Sequence, residues 1–86
     1  MQIVLLPDAK KDIEFWTKSG NKRILGKITQ LLEAILTNPY KGLGKPEQLK
    51  HELSGFWSRR IDKEHRMIYE ILDAQVLVHS AKGHYV

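Results

Sequence analysis

The sequence predicts an α+β fold: a strand, a two-helix hairpin and then an antiparallel four-stranded meander, with helices on one face of the sheet. Three observations carry that prediction. A continuous apolar run, Ile3 to Leu6, opens the chain; apolar residues recur with a helical period between Ile24 and Leu36; and from Leu49 onward the period falls to two.

Ile3 to Leu6 contains β-branched residues and suits a strand covered on at least one face. Pro7 ends it and, with Asp8, suits the first turn of a helix, where a missing donor costs nothing and a carboxylate complements the dipole. Ala9, Ile13 and Trp16 then share one face. Gly20 is placed to stop this helix and Asn21 to cap the next through its side-chain oxygen. The second helix places Ile24, Leu25, Ile28, Leu31, Leu32, Ile35 and Leu36 on one apolar face. Asn38-Pro39 ends it, because the residue before a proline is pushed out of the α region.

From Tyr40 to Gln48 no period survives, and two glycines and a proline mark a loop of the kind that carries function. Leu49 to Leu53, Phe56 to Ile61, His65 to Leu72 and Gln75 to Lys82 read as strands. Ser54-Gly55, Asp62-Lys63-Glu64 and Asp73-Ala74 read as the turns between them, too short for anything but antiparallel neighbours. In the run from Phe56 to Ile61 the alternation gives each sheet face one arginine, Arg59 or Arg60, and does not say which of the two faces the helices.

Eighty-six residues with 42% hydrophobic content suffice for one domain spanning 1–86, although a chain this short buries only roughly 60 to 65% of its unfolded surface. Without cysteine, neither a disulfide framework nor a thiolate zinc site is available, and the four histidines show no HExxH spacing. No metal and no cofactor is therefore expected. The opening apolar run is too short for a signal peptide or a membrane span, so a cytoplasmic protein without membrane association is expected. Net charge is +4, and Lys41 to Arg66 holds seven Lys or Arg against four acids. Such a stretch attracts polyanions, either nucleic acid or an acidic protein segment. Lys22 and Arg23 oppose the dipole of the second helix and face either an acidic partner or solvent.

The run GLGKPEQLKHELSGFWSRRIDKEHRMIYEI, Gly42 to Ile71, together with GHY at Gly83 to Tyr85, resembles the YoeB toxins of the RelE superfamily. KPE, LKH, LSGFWSRRI and EHR stand in that family's order and spacing, while the first twenty residues correspond only in layout. The resemblance implies a microbial ribonuclease type of fold and a ribosome-dependent endoribonuclease that cuts messenger RNA in the A site. It puts the general base on Glu47, the transition-state arginine on Arg66, and the acid and positioning pair on His84 and Tyr85. Lys50, His51 and Arg60 match positions that contact RNA or shape the site. It also implies a YefM-type antitoxin whose acidic C-terminal segment covers the toxin, the 70S ribosome as partner, operator DNA only through the antitoxin complex, and homodimers. In many relatives the His-Tyr pair ends the chain; here Val86 follows.

Those residue types suit the chemistry. Cleavage of RNA without a metal uses the 2′-hydroxyl as nucleophile on the adjacent phosphate. A carboxylate such as Glu47 can take the hydroxyl proton, and an imidazole such as His84, which exists in both forms near neutrality, can protonate the departing 5′-oxygen. A guanidinium such as Arg66 is shaped to meet the charge of the phosphorane, and Tyr85 can stack on a base or hold a phosphate in line. Trp57 and Tyr69 read as sheet packing, and His79 as a packed or edge histidine. A non-catalytic binder on the same scaffold, like the gyrase-inhibiting ParE toxins, is the rival reading; such proteins lack the Glu, Arg, His and Tyr constellation.

Overall fold

Pro7 opens the first helix, Pro7–Lys18 (α1), directly after a strand at Gln2–Leu5 (β1). The structure, a computed structural model, describes residues 1–83. A left-handed Gly20 turns the chain, and Asn21 Oδ1 accepts from the amide of Ile24 at 3.1 Å to cap the second helix, Lys22–Thr37 (α2). The remaining strands are Glu47–Gln48 (β2), Phe56–Arg60 (β3), Arg66–Leu72 (β4) and Gln75–Ser80 (β5).

They form a single five-stranded sheet in the order β1-β5-β4-β3-β2. Consecutive strands from β2 to β5 are antiparallel, as their short turns require, while β1 adds to the far side of β5 in parallel, Ile3 opposite Val76. Flanked on both sides, β5 buries Val76 and Val78 completely. Ala9 and Trp16 of α1 and Ile24, Ile28, Leu31 and Ile35 of α2 pack there with Met67 and Tyr69 of β4. The helical face expected of α2 is therefore the core, apart from Leu36, which stays exposed.

Two expected boundaries are corrected. The predicted strand at Leu49 to Leu53 is instead a short 3-10 helix, His51–Leu53, and the strand partner of β3 is Glu47–Gln48, inside the predicted loop. His51 adopts φ 57°, which no extended strand tolerates, and Leu49 is buried while His51 is exposed. The last strand also stops at Ser80 rather than Lys82, because the amide of Ala81 donates to Asp12 Oδ2 of α1 at 2.9 Å instead of continuing the ladder.

Of the two neighbouring arginines, Arg59 is the one turned inward. It is fully buried and has five hydrogen-bond donors to satisfy. Nε donates to the Tyr69 hydroxyl at 3.0 Å, Nη1 to the carbonyl of Leu43 at 3.0 Å, and Nη2 to the carbonyls of Asn38 and Lys41 at 2.6 and 3.1 Å. One guanidinium thereby gathers the loop that leads to β2. Gly44 closes that loop onto β3: its carbonyl accepts from the amide of Arg60 at 2.6 Å, and a side chain there would meet Leu31 at 2.7 Å.

Candidate functional site

Strand register decides which side chains share a surface. Glu47 lies opposite Ser58, and Arg60 lies opposite Arg66. Opposed residues of antiparallel strands project to the same face, as do residues two apart on one strand. Glu47, Ser58, Arg60 and Arg66 consequently share the face turned away from the helices. Two strand spacings and two residue rises separate the α-carbons of Glu47 and Arg66 by roughly 12 Å, a gap comparable to the combined reach of the two side chains.

Glu47 and Arg60 are exposed and Arg66 is partly buried. Like charges directly opposite each other destabilise a sheet, and among the described residues neither Arg60 nor Arg66 is in an ion pair. Guanidinium groups carried at opposed positions of one sheet face, in no ion pair among the described residues, suit an anion with several oxygens, such as a phosphodiester. Beside them, Ser58 Oγ is buried and has no hydrogen-bond partner among the described residues.

Lys50 and His51 join Glu47 along a groove of about 320 Å³. The positive φ of His51 turns the chain so that these three residues line one depression. A larger hollow of about 410 Å³ lies between Lys22, Arg23, Lys27 and Asp62. Its carboxylate is already engaged: Asp62 Oδ1 accepts from the amides of Glu64 and His65 at 2.8 and 2.7 Å.

The end of the described chain returns to the same region. Arg66 donates its backbone N–H to the carbonyl of Gly83 at 2.8 Å, and the Gly83 amide donates to His65 Nδ1 at 2.8 Å. His84 and Tyr85 follow Gly83 in sequence and lie outside the described residues.

A family model described as "YoeB-like toxin of bacterial type II toxin-antitoxin system" matches residues 6–85. The chain belongs to the YoeB-like toxin family. Toxin YoeB of Escherichia coli K12 is 41% identical over 85 residues, which cover 99% of this chain and all of that one. A YoeB/ParE toxin from Agrobacterium tumefaciens superposes with a TM-score of 0.95 at 37% identity, covering 99% of this chain and all of that one. YoeB of Staphylococcus aureus, solved in a heterotetrameric complex with YefM, superposes at 0.87 with 38% identity, covering 99% and 98%. This YoeB-like chain is therefore a toxin of the type II toxin–antitoxin class, and the matched span takes in every site position named above.

Among the aromatic and histidine residues, Tyr69 is buried and Trp57 packs against the core. His79 stacks on Phe56 at 4.5 Å and meets Glu70 Oε1 at 2.8 Å, the packed rather than the edge histidine of the two expected, since β5 lies inside the sheet. Two residues with a part in building the site, Arg59 and His65, had no signal of their own in the sequence. Arg59 stands in the same run as Arg60, and only burial separates them.

Proposed function

We propose that this YoeB-like toxin is a ribosome-dependent messenger RNA endoribonuclease, cleaving in the A site by a metal-independent route. Glu47 takes the proton of a 2′-hydroxyl as its oxygen bonds to the adjacent phosphorus. The bond from phosphorus to the 5′-oxygen breaks, and His84 delivers a proton to that oxygen. The products are a 2′,3′-cyclic phosphate, or its opened 3′-phosphate, and a 5′-hydroxyl. Arg66, with Arg60 opposite, holds the charge of the phosphorane; Tyr85 aligns the step; Lys50 and His51 contact RNA.

The observation that carries this reading is the pair of arginines, in no ion pair among the described residues, on the sheet face that also bears Glu47. Such an arrangement costs stability and is retained where an anion is to be bound and a proton accepted beside it. Family membership supports it, and the basic excess between Lys41 and Arg66 suits RNA as ligand.

Partners follow from the same reading. S. aureus YoeB has been solved both as a dimer and with YefM. By analogy this chain pairs with a YefM-type antitoxin, whose acidic segment covers the basic site; it reaches operator DNA only through that complex, forms homodimers, and works on ribosomes in the cytoplasm.

Programmed ribosomes incubated with the purified protein, with cut ends mapped, test the proposal. Glu47→Gln, Arg66→Gln and His84→Gln should each lower cleavage by about a hundredfold or more while ribosome binding persists. Growth inhibition left intact by all three variants would instead favour a ParE-like, non-catalytic toxin.

A further inference from the structure

Beyond Ser80 the described chain is held by side chains and single amides rather than by the sheet. Ala81 donates its amide to Asp12 Oδ2 at 2.9 Å and accepts from Trp16 Nε1 at 2.9 Å. Gly83 is gripped from both sides, its carbonyl by the amide of Arg66 and its amide by His65 Nδ1, each at 2.8 Å. His65 is itself fixed. Its amide donates to Asp62 Oδ1 at 2.7 Å, its carbonyl accepts from Ile61 at 2.9 Å, and its ring stands edge-on to Trp16 with centroids 4.7 Å apart.

A backbone amide can only donate, so His65 Nδ1 carries a lone pair and its ring proton resides on Nε2. The residue that follows Gly83 is His84, one peptide away, and the residue that follows His65 is Arg66. We infer that His65 is a positioning residue: together with the Arg66 amide it fixes Gly83, the residue to which His84 is joined in sequence. This rests on the endoribonuclease reading and assigns His65 no contact with RNA.

The test pairs two substitutions. His65→Leu keeps an apolar group against Trp16 and removes the acceptor; His65→Asn restores an oxygen acceptor near the position of Nδ1. On programmed ribosomes His65→Leu should lower kcat by between about ten- and a hundredfold with KM nearly unchanged, as expected for a misplaced reacting group. His65→Asn should recover most of that loss. In amide exchange followed by NMR, Gly83 N–H should be protected in the wild type and in His65→Asn and should exchange freely in His65→Leu. Equal kcat in wild type and His65→Leu, equal losses in both variants, or a wild-type His65 protonated on Nδ1 would each overturn the assignment. A wild type that cleaves nothing would overturn the endoribonuclease reading beneath it, a result distinct from cleavage that ignores His65.

Discussion

The side chains of Arg59 and Tyr69 meet across the β3–β4 pair, the guanidinium Nε donating to the tyrosine hydroxyl at 3.0 Å. That hydroxyl in turn donates a hydrogen bond to the carbonyl of Pro39 at 2.9 Å. Three of the four remaining Arg59 donors end on carbonyls of Asn38, Lys41 and Leu43, so among the described residues a buried cation is balanced by backbone dipoles rather than by a carboxylate. The network ties the core of the sheet to the loop that delivers Glu47.

Tyr69→Phe removes one oxygen from this network and leaves Arg59 Nε and the Pro39 carbonyl without that partner. The expected loss of unfolding free energy is about 1 to 3 kcal/mol, read from the urea midpoint. Amides of the 38–44 segment should exchange faster. An unchanged midpoint would mean that the hydroxyl contributes nothing to the fold.

Alkaline stability follows from the same residue. Burial pushes the Tyr69 hydroxyl above its ordinary value of 10.0, and the hydrogen bond and charge of Arg59 oppose that shift without cancelling it. The folded chain therefore keeps a proton that the unfolded chain has already released. Stability is level below pH about 10 and falls as pH rises through the folded value. Thermal melts across that range should show a steeper decline for the wild type than for Tyr69→Phe.

At Asp62 the sign reverses. Burial is the largest single influence and would raise its carboxyl, but the amides of His65 and Glu64 together with the electrostatic pull of His65 and Arg23 outweigh it and hold the carboxyl below 3.8. Its contribution is complete above that ordinary value and is lost as pH falls through the lower folded one. Asp62→Asn keeps an acceptor and removes the titration, so acid unfolding should be less steep than in the wild type. Asp62→Ala should lose about 1 kcal/mol at neutral pH.

Gly44 cannot be replaced cheaply. At φ 86° an added Cβ would stand 2.7 Å from Leu31 Cδ2 and 3.1 Å from both Arg59 Cβ and the carbonyl of Arg60. Gly44→Ala should destabilise by at least about 2 kcal/mol, measured by denaturant titration, and should loosen the hydrogen bond from the Arg60 amide to the Gly44 carbonyl that joins the loop to β3.

A gain is expected at the opposite kind of site. Asp73 and Ala74, at φ 50° and 60°, form the tight turn between β4 and β5, where glycine is preferred at the second position. Ala74→Gly should raise stability by about 1 kcal/mol, visible as a higher melting temperature with cleavage unaffected.

Much of the architecture was legible in residue order alone. The α2 period reappears as Ile24, Ile28, Leu31 and Ile35 in the core, and the Asn21 cap forms as its side chain suggested. The misread segment, Leu49 to Leu53, fails for a definite reason: alternation of Leu, His and Leu fits an extended strand and a tight turn equally, and the positive φ of His51 selects the turn. At the site, Glu47 and Arg66 were legible as residue types, but the rows Glu47–Ser58 and Arg60–Arg66 that put them on one face needed strand register.

Local chemistry, then, specified the helices, the stops and the antiparallel order of β3 to β5, because periodicity, caps and short turns act over a few positions, while the site residues were picked out by resemblance to a family. It could not specify which of Arg59 and Arg60 faces inward, that β1 runs parallel beside β5, or that Gly83 docks on His65 and Arg66. A period of two settles only that neighbouring side chains point to opposite faces. Which face is buried depends on what packs against it, and those partners come from distant parts of the chain.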